Sequence, residues 1–275
     1  MKTGGDELNK KVLIIIVLAF SICIFGFMYL ETNRIPKRID NEQNVKAPQI
    51  QNETVRESFK EDRNLLEKYT LKDLFVEITD AHPANNELQN YIIGQNKFDG
   101  NKITITVDKE QDQFISGKVE SKFGFRYGSM KLRIKPVQNT GLFPAIWMLP
   151  ITDYNYPELD LFEMIGNDPE KFYGVLHYLE NGEKRRNFFE YKFEKNNVPK
   201  VYELEIKWTP DKIVWYLMGE KIHELNGNET QIPMYIIINC AVGGNWPGAP
   251  SDAMKLPKQF EVEIVDFKPK EVFIR

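Results

Sequence analysis

From about residue 70 to its last residue the sequence predicts an all-β fold, an antiparallel sandwich or jelly roll, on three observations. Apolar residues recur with period two, as at Ile103, Ile105 and Val107 between Thr104 and Thr106, the spacing that puts every second side chain on one face of a strand. Turn formers punctuate the runs at Asp99-Gly100, Asn181-Gly182, Met218-Gly219 and Asn226-Gly227. No helical periodicity lies between them, which favours antiparallel strands over crossover-linked parallel ones. With 42% hydrophobic and 12% aromatic residues in 275, one sizeable core can be buried.

Ahead of this domain the chain divides into three parts. Residues 1–11 are a short tail with Lys2, Lys10 and Lys11. Val12 to Leu30 is an apolar run long enough to cross a bilayer core of about 30 Å as a helix. A cleavable signal peptide is the competing reading, but its apolar region runs about 7–15 residues and ends in a small-x-small site. This run ends in Phe27-Met28-Tyr29-Leu30, so residues 12–30 are expected to be an uncleaved transmembrane anchor. Arg34, Lys37 and Arg38 balance the lysines on the other side, so flanking charge barely sets the orientation. Residues 31–69, polar and containing Pro36 and Pro48, read as a linker or stalk. Phe59, Leu66 and Tyr69 have loosely helical spacing and predict a short helix within Arg56 to Lys72.

Within 70–275, strands are predicted at Lys118–Ser121, Met130–Ile134, Tyr173–His177, Tyr202–Trp208, Ile213–Leu217, Tyr235–Asn239 and Glu261–Phe267. A formal net charge of −4, from 36 basic and 40 acidic residues, gives no long-range field for a nucleic acid or other polyanion. A neutral substrate is easier to accommodate. Cys23 and Cys240 make no disulfide framework, and three histidines with no cysteine nearby make no zinc site. Cys240 reads as a buried small hydrophobe.

Glu158-Leu159-Asp160-Leu161-Phe162-Glu163 sets three carboxylates into a strand-like apolar segment, which is costly unless the strand faces water. Glu158 and Asp160, two apart, share a face. Glu163 would point the other way unless a one-residue bulge near Leu161 or Phe162 returned it to the same face. The step between the glutamates then spans about 13 Å at the backbone and leaves about 5–6 Å between leaning carboxyl groups. Retaining glycoside cleavage needs about 5–5.5 Å, whereas an inverting pair stands about 6.5–9.5 Å apart. On that geometry one glutamate attacks the anomeric carbon and the other protonates the leaving oxygen, with Asp160 raising the acid's pKa by like-charge repulsion. An exposed edge strand carrying solvated charges is the competing reading of the cluster.

Glu158 to Glu163 resembles the E-x-D-x-x-E signature of glycoside hydrolase family 16, in its laminarinase-like branch. Further segments are similar to that branch in the same order: Asn85-Asn86-Glu87-Leu88-Gln89, Phe123 to Gly128, Gly141 to Pro150, Val175 to Tyr178, Trp208 to Asp211 and Ile238 to Gly248. Together they cover about residues 84–267. The resemblance departs from the usual pattern at Pro157, where a glycine-type residue is common.

The resemblance implies a concanavalin-like β-jelly roll with an open substrate cleft, Glu158 as nucleophile, Asp160 as helper and Glu163 as acid/base. It implies substrate contacts from Asn86, Glu87, Arg126, Trp147, His177 and Trp246, the last an indole in a Gly/Pro-rich loop suited to stacking on a sugar. No cofactor is required, although family members often hold a structural calcium through the position of Asp266. The expected activity is endo-hydrolysis of β-1,3 or mixed β-1,3/1,4 glucan by a monomer, tethered by residues 12–30 with its catalytic domain extracellular or lumenal. A wall-remodelling transglycosylase and a non-catalytic β-glucan sensor are the alternatives. Retention of all three carboxylates argues against the sensor.

Overall fold

Residues 64–80, 85–194 and 197–275 are described by a computed structural model. The predicted anchor at 12–30 and the linker up to residue 63 lie outside the described residues. Among those described, no helix is long and apolar enough to cross a membrane. Where one short helix was expected, the described part holds a 3-10 turn, Leu65–Glu67, and a single α-helical turn, α1 (Leu71–Leu74). Asn64 explains the break. Its Oδ1 accepts from Leu66 N–H and from Phe267 N–H, both at 3.1 Å, tying the turn to the last strand instead of letting it run on.

The strands follow in order: β1 (Phe75–Glu77), β2 (Gln89–Tyr91), β3 (Asn96–Asp99), β4 (Lys102–Glu110), β5 (Gln113–Ser116), β6 (Lys118–Ser121), β7 (Phe123–Lys135) and β8 (Leu142–Pro150). Then come β9 (Glu158–Glu163), β10 (Lys171–Glu180), β11 (Glu183–Lys192), β12 (Tyr202–Trp208), β13 (Lys212–Leu217), β14 (Glu220–Asn226), β15 (Met234–Val242) and β16 (Lys258–Ile274). One layer runs β1-β6-β15-β8-β9-β10-β11 and the other β3-β4-β16-β7-β12-β13-β14, joined where Met234 pairs with Phe125. All of these pairings are antiparallel, as the absence of helical connections predicts; the exception lies outside them, at β2, which pairs parallel to β5 where β5 extends the sheet beyond β4. The hairpins at Asn181-Gly182 and Met218-Gly219 have positive φ at both central residues, the mirror-image turn that fits the twist of paired strands. Strand β11 was not predicted. It is an edge strand with mostly exposed, charged residues, so it shows no apolar alternation to read.

The layers close on an aromatic-rich core. Phe162 of β9 packs against Phe172 of its own layer and, from the other layer, Tyr202 and Phe260, with ring centroids 5.5, 5.9 and 6.4 Å away. Further along, Met148 and Leu159 meet Phe125, Met130 and Trp208 around one apolar space. The layer containing β9 is therefore apolar on its inner side and free to be polar on its outer one.

Candidate active site

Strand β9 is bulged at the predicted place. Against β8, Phe162 pairs with Ile146 but Asp160 pairs with the next residue, Trp147, so Leu161 is the extra residue. The ladder to β10 slips by the same one residue, since Glu163 pairs with Tyr173 and Asp160 with Val175. Leu161 and Phe162 both turn into the core as consecutive residues, which returns Glu163 to the outer face with Glu158 and Asp160. A bulge leaves its extra residue out of the ladder, and a buried carbonyl needs a donor. Trp215 of β13 supplies it, its indole N–H donating to the Leu161 carbonyl across the sandwich at 3.0 Å.

His177, opposite Glu158 on β10, completes the cluster. Its Nε2 lies 3.9 Å from Glu158 Oε1 and 3.4 Å from Asp160 Oδ2. Asp160 is buried, and its Oδ2 has no hydrogen-bond partner, so the imidazole stands beside it without donating in this geometry. Burial is the main reason all three carboxyls are raised above the ordinary range. For Glu158 the His177 charge pulls back down; for Asp160 the Glu158 charge pushes further up. Glu163 is held well above the ordinary range by burial and then by the negative charges of Asp160 and Glu158, against a weaker pull from His177. The two glutamates are thus driven apart in acidity. Ligand atoms of Glu158, Asp160 and His177 lie within 4.8 Å of one another, so this trio could also accept a cation.

The flanks of the carboxylates come from distant segments. Trp147 N–H donates to Asn239 Oδ1, and Asn239 Nδ2 donates to Tyr91 Oη, both at 2.7 Å, which fixes the Trp147 ring beside Asp160. Trp246 is 48% exposed, as its loop composition predicts, and meets Tyr173 and Phe143 at 4.8 and 5.4 Å between centroids. Tyr173 stands opposite Glu163, so the indole reaches the Glu163 end of the strand.

Asn86 and Glu87 join this wall from the other end of the sequence. Asn86 Nδ2 donates to Asn245 Oδ1 at 2.7 Å, Asn245 N–H donates to Asn85 O at 2.9 Å, and Glu87 bridges Gly243. Gly243 has φ of +71°, and a Cβ there would come within 2.8 Å of the Leu88 side chain, so only glycine lets the two loops meet this closely. Glu87 accepts from Gln89 Nε2 at 2.7 Å, while burial raises its pKa.

Two expected site residues lie elsewhere. Arg126 is on β7 in the second layer, next to the inward-facing Phe125, and its guanidinium pairs with Glu271 at 2.7 Å and with the Gln231 carbonyl at 3.1 Å. Alternation sends it to the outside of that layer, away from the carboxylates. Asp266, the position expected to hold calcium, is on β16 in the second layer. Its carboxylate lies 2.8 Å from the Lys268 ammonium, and among the described residues no trio of Asp, Glu, His or Cys ligand atoms includes it. Sequence reading missed Tyr173, Asn239 and Tyr91. The first two were within its reach, since Tyr173 has the parity of His177 and Asn239 is a lone amide in an apolar strand.

The chain that carries this strand, bulged between paired carboxylates on an open antiparallel layer, matches a known family model. The description is glycosyl hydrolases family 16, over residues 85–263. The chain belongs to that family.

Among relatives, this family 16 chain is 29% identical over 146 residues to an endo-1,3-1,4-beta-glycanase of Rhizobium meliloti, covering 53% of itself but 31% of that protein. It is 26% identical to a glucan endo-1,3-beta-glucosidase of Cryptopygus antarcticus, over 66% of this chain and 81% of that one. In structure it resembles the laminarinase catalytic domain of Thermotoga maritima with a TM-score of 0.60 at 23% identity, over 70% of this chain and 91% of that one. The family hydrolyses O-glycosidic bonds, and the fold is the open, jelly-roll-like β sandwich that the sequence predicts.

Proposed function

We propose that this family 16 hydrolase is an endo-β-glucanase that cuts β-1,3 or mixed β-1,3/1,4 glucan with retention of anomeric configuration. The observation that supports this most directly is the bulge at Leu161, which returns Glu163 to the face of Glu158. Glu158, the less raised of the two glutamates and neighbour to His177, attacks the anomeric carbon and forms a glycosyl-enzyme. Glu163, whose pKa burial and two negative neighbours hold well above the ordinary range, gives its proton to the leaving oxygen and afterwards takes one from the attacking water. Asp160 stands between them and keeps the acidities apart. Trp147, Trp246 and the Asn86-Glu87 loop hold the sugar chain, by ring stacking and hydroxyl contacts.

The name of the Cryptopygus relative specifies a glucan, and that of the Rhizobium relative an endo-acting β-1,3-1,4-glycanase. Residues 12–30 would tether the enzyme to a membrane with the catalytic domain outside or in a lumen, where polysaccharide is found. Resistance to alkaline extraction from membranes, lost on deleting 12–30, tests that part.

The chemistry is tested by proton NMR of the first products released from β-1,3-glucan by the full chain. A β-anomer appearing first, absent with Glu158→Ala, is the expected result; an initial α-anomer would refute the retaining assignment.

A further inference from the structure

The row of side chains that starts at Glu158 does not stop at His177. In the next ladder Arg186 of β11 stands opposite His177, Phe188 opposite Val175 and Lys184 opposite Leu179. Directly opposed residues share a face. Phe189, next to Phe188, is buried against Trp215, so Lys184, Arg186 and Phe188 project on the side of the carboxylates. With strands about 4.8 Å apart, Arg186 lies two strands, roughly 10 Å, from Glu158 at the backbone.

Arg186 is also unlike the other described arginines. Arg126, Arg133, Arg185 and Arg275 each pair with a glutamate. Among the described residues Arg186 and Lys184 have no carboxylate partner. The Arg186 guanidinium lies 5.3 Å from the Phe188 ring, which is 55% exposed, and the Lys184 ammonium lies 5.8 Å from the Tyr156 ring. Edge strands often carry cations simply to discourage pairing with other chains. Such cations need no common face and no aromatic beneath them, and these have both. A guanidinium fork binds carboxylate or sulfate through two parallel hydrogen bonds, and an exposed ring beside it stacks on the apolar face of a sugar.

We propose that Lys184, Arg186 and Phe188 form a subsite at the β11 edge of the substrate face for a sugar unit bearing a carboxylate or sulfate, making an acidic β-glycan the preferred substrate. This rests on the glucanase reading and adds to it. The small net charge hides the arrangement, because the cations sit on one strand and the carboxylates on another.

The test measures KM with the full chain in detergent, on a β-1,3-glucan and on its carboxymethylated and sulfated derivatives, for wild type and Arg186→Gln. The wild type is expected to show a lower KM for at least one derivative than for the parent glucan. Arg186→Gln should raise that KM about tenfold, the worth of one charge-assisted hydrogen bond, and leave the parent within about twofold. Added salt should weaken the derivative alone. Which derivative responds identifies the anion. Equal changes on parent and derivatives, or none on any, overturn the subsite while leaving the glucanase reading intact. No wild-type hydrolysis of any of the three glucans overturns the glucanase reading, and the subsite with it.

Discussion

Trp215 is 54 residues from Leu161 in sequence, yet its indole N–H is what satisfies the carbonyl that the bulge takes out of the ladder. Trp215→Phe removes that donor and keeps an aromatic ring against Phe189, now 5.2 Å away. A buried acceptor left without a partner costs about 1–3 kcal/mol, and the smaller ring adds a packing loss of the same sign. For a domain of this size each kcal/mol lowers Tm by about 2–4 °C. If the bond also holds the bulge, Glu163 loses its aim, and an ångström of misplacement is worth about 100-fold in rate. The assay is thermal unfolding beside kcat on β-1,3-glucan, with Phe260→Leu as a core change of similar cost that leaves Leu161 alone. The expected pattern is a similar drop in Tm for both variants and a large drop in kcat for Trp215→Phe only. Equal kcat values, measured well below both Tm values, would refute the claim that Trp215 positions the bulge.

Glu163→Gln should lower the glucan rate about 10²–10⁴-fold, the usual range for a lost general acid. It should also stabilise the fold: the Glu163 carboxyl is raised in the folded state, so its contribution is full below the unfolded value near 4.3 and is lost as pH rises through the raised one. Across that window the wild type loses up to about 1.4 kcal/mol per pH unit that the variant keeps, so a Tm-against-pH curve of unchanged slope would contradict the assignment. Asp160→Asn removes the larger of the two negative influences on Glu163; the alkaline limb of the pH–kcat profile should move to lower pH, and an upward shift would contradict it. Asn239→Leu leaves the Trp147 N–H donor and the Tyr91 Oη acceptor without their shared partner; a loss of about 1–3 kcal/mol by chemical denaturation is expected, together with a raised KM as the Trp147 ring comes free.

What the sequence determined by itself is whatever backbone geometry imposes locally. Period two puts Glu158 and Asp160 on one face, and the same rule shows that Glu163 needs one extra residue near Leu161 or Phe162 to join them, which the ladder places at Leu161. Turn pairs such as Asn181-Gly182 mark the hairpins because few residues accept positive φ, and the strands at Lys118–Ser121 and Tyr202–Trp208 come out with the predicted bounds. What only the tertiary structure decided is which distant strands pair and which side of a layer each face meets. Arg126 has the right chemistry for a sugar hydroxyl, but its strand lies in the second layer, where the nearest carboxylate is Glu271, 145 residues on. Asn86 finds Asn245 from 159 residues away, and β11 escapes notice because an edge strand with one buried side chain has no periodic signal. Alternation records whether a side chain faces in or out. It does not record what lies opposite, because register is set by ladders and packing that close over the whole chain.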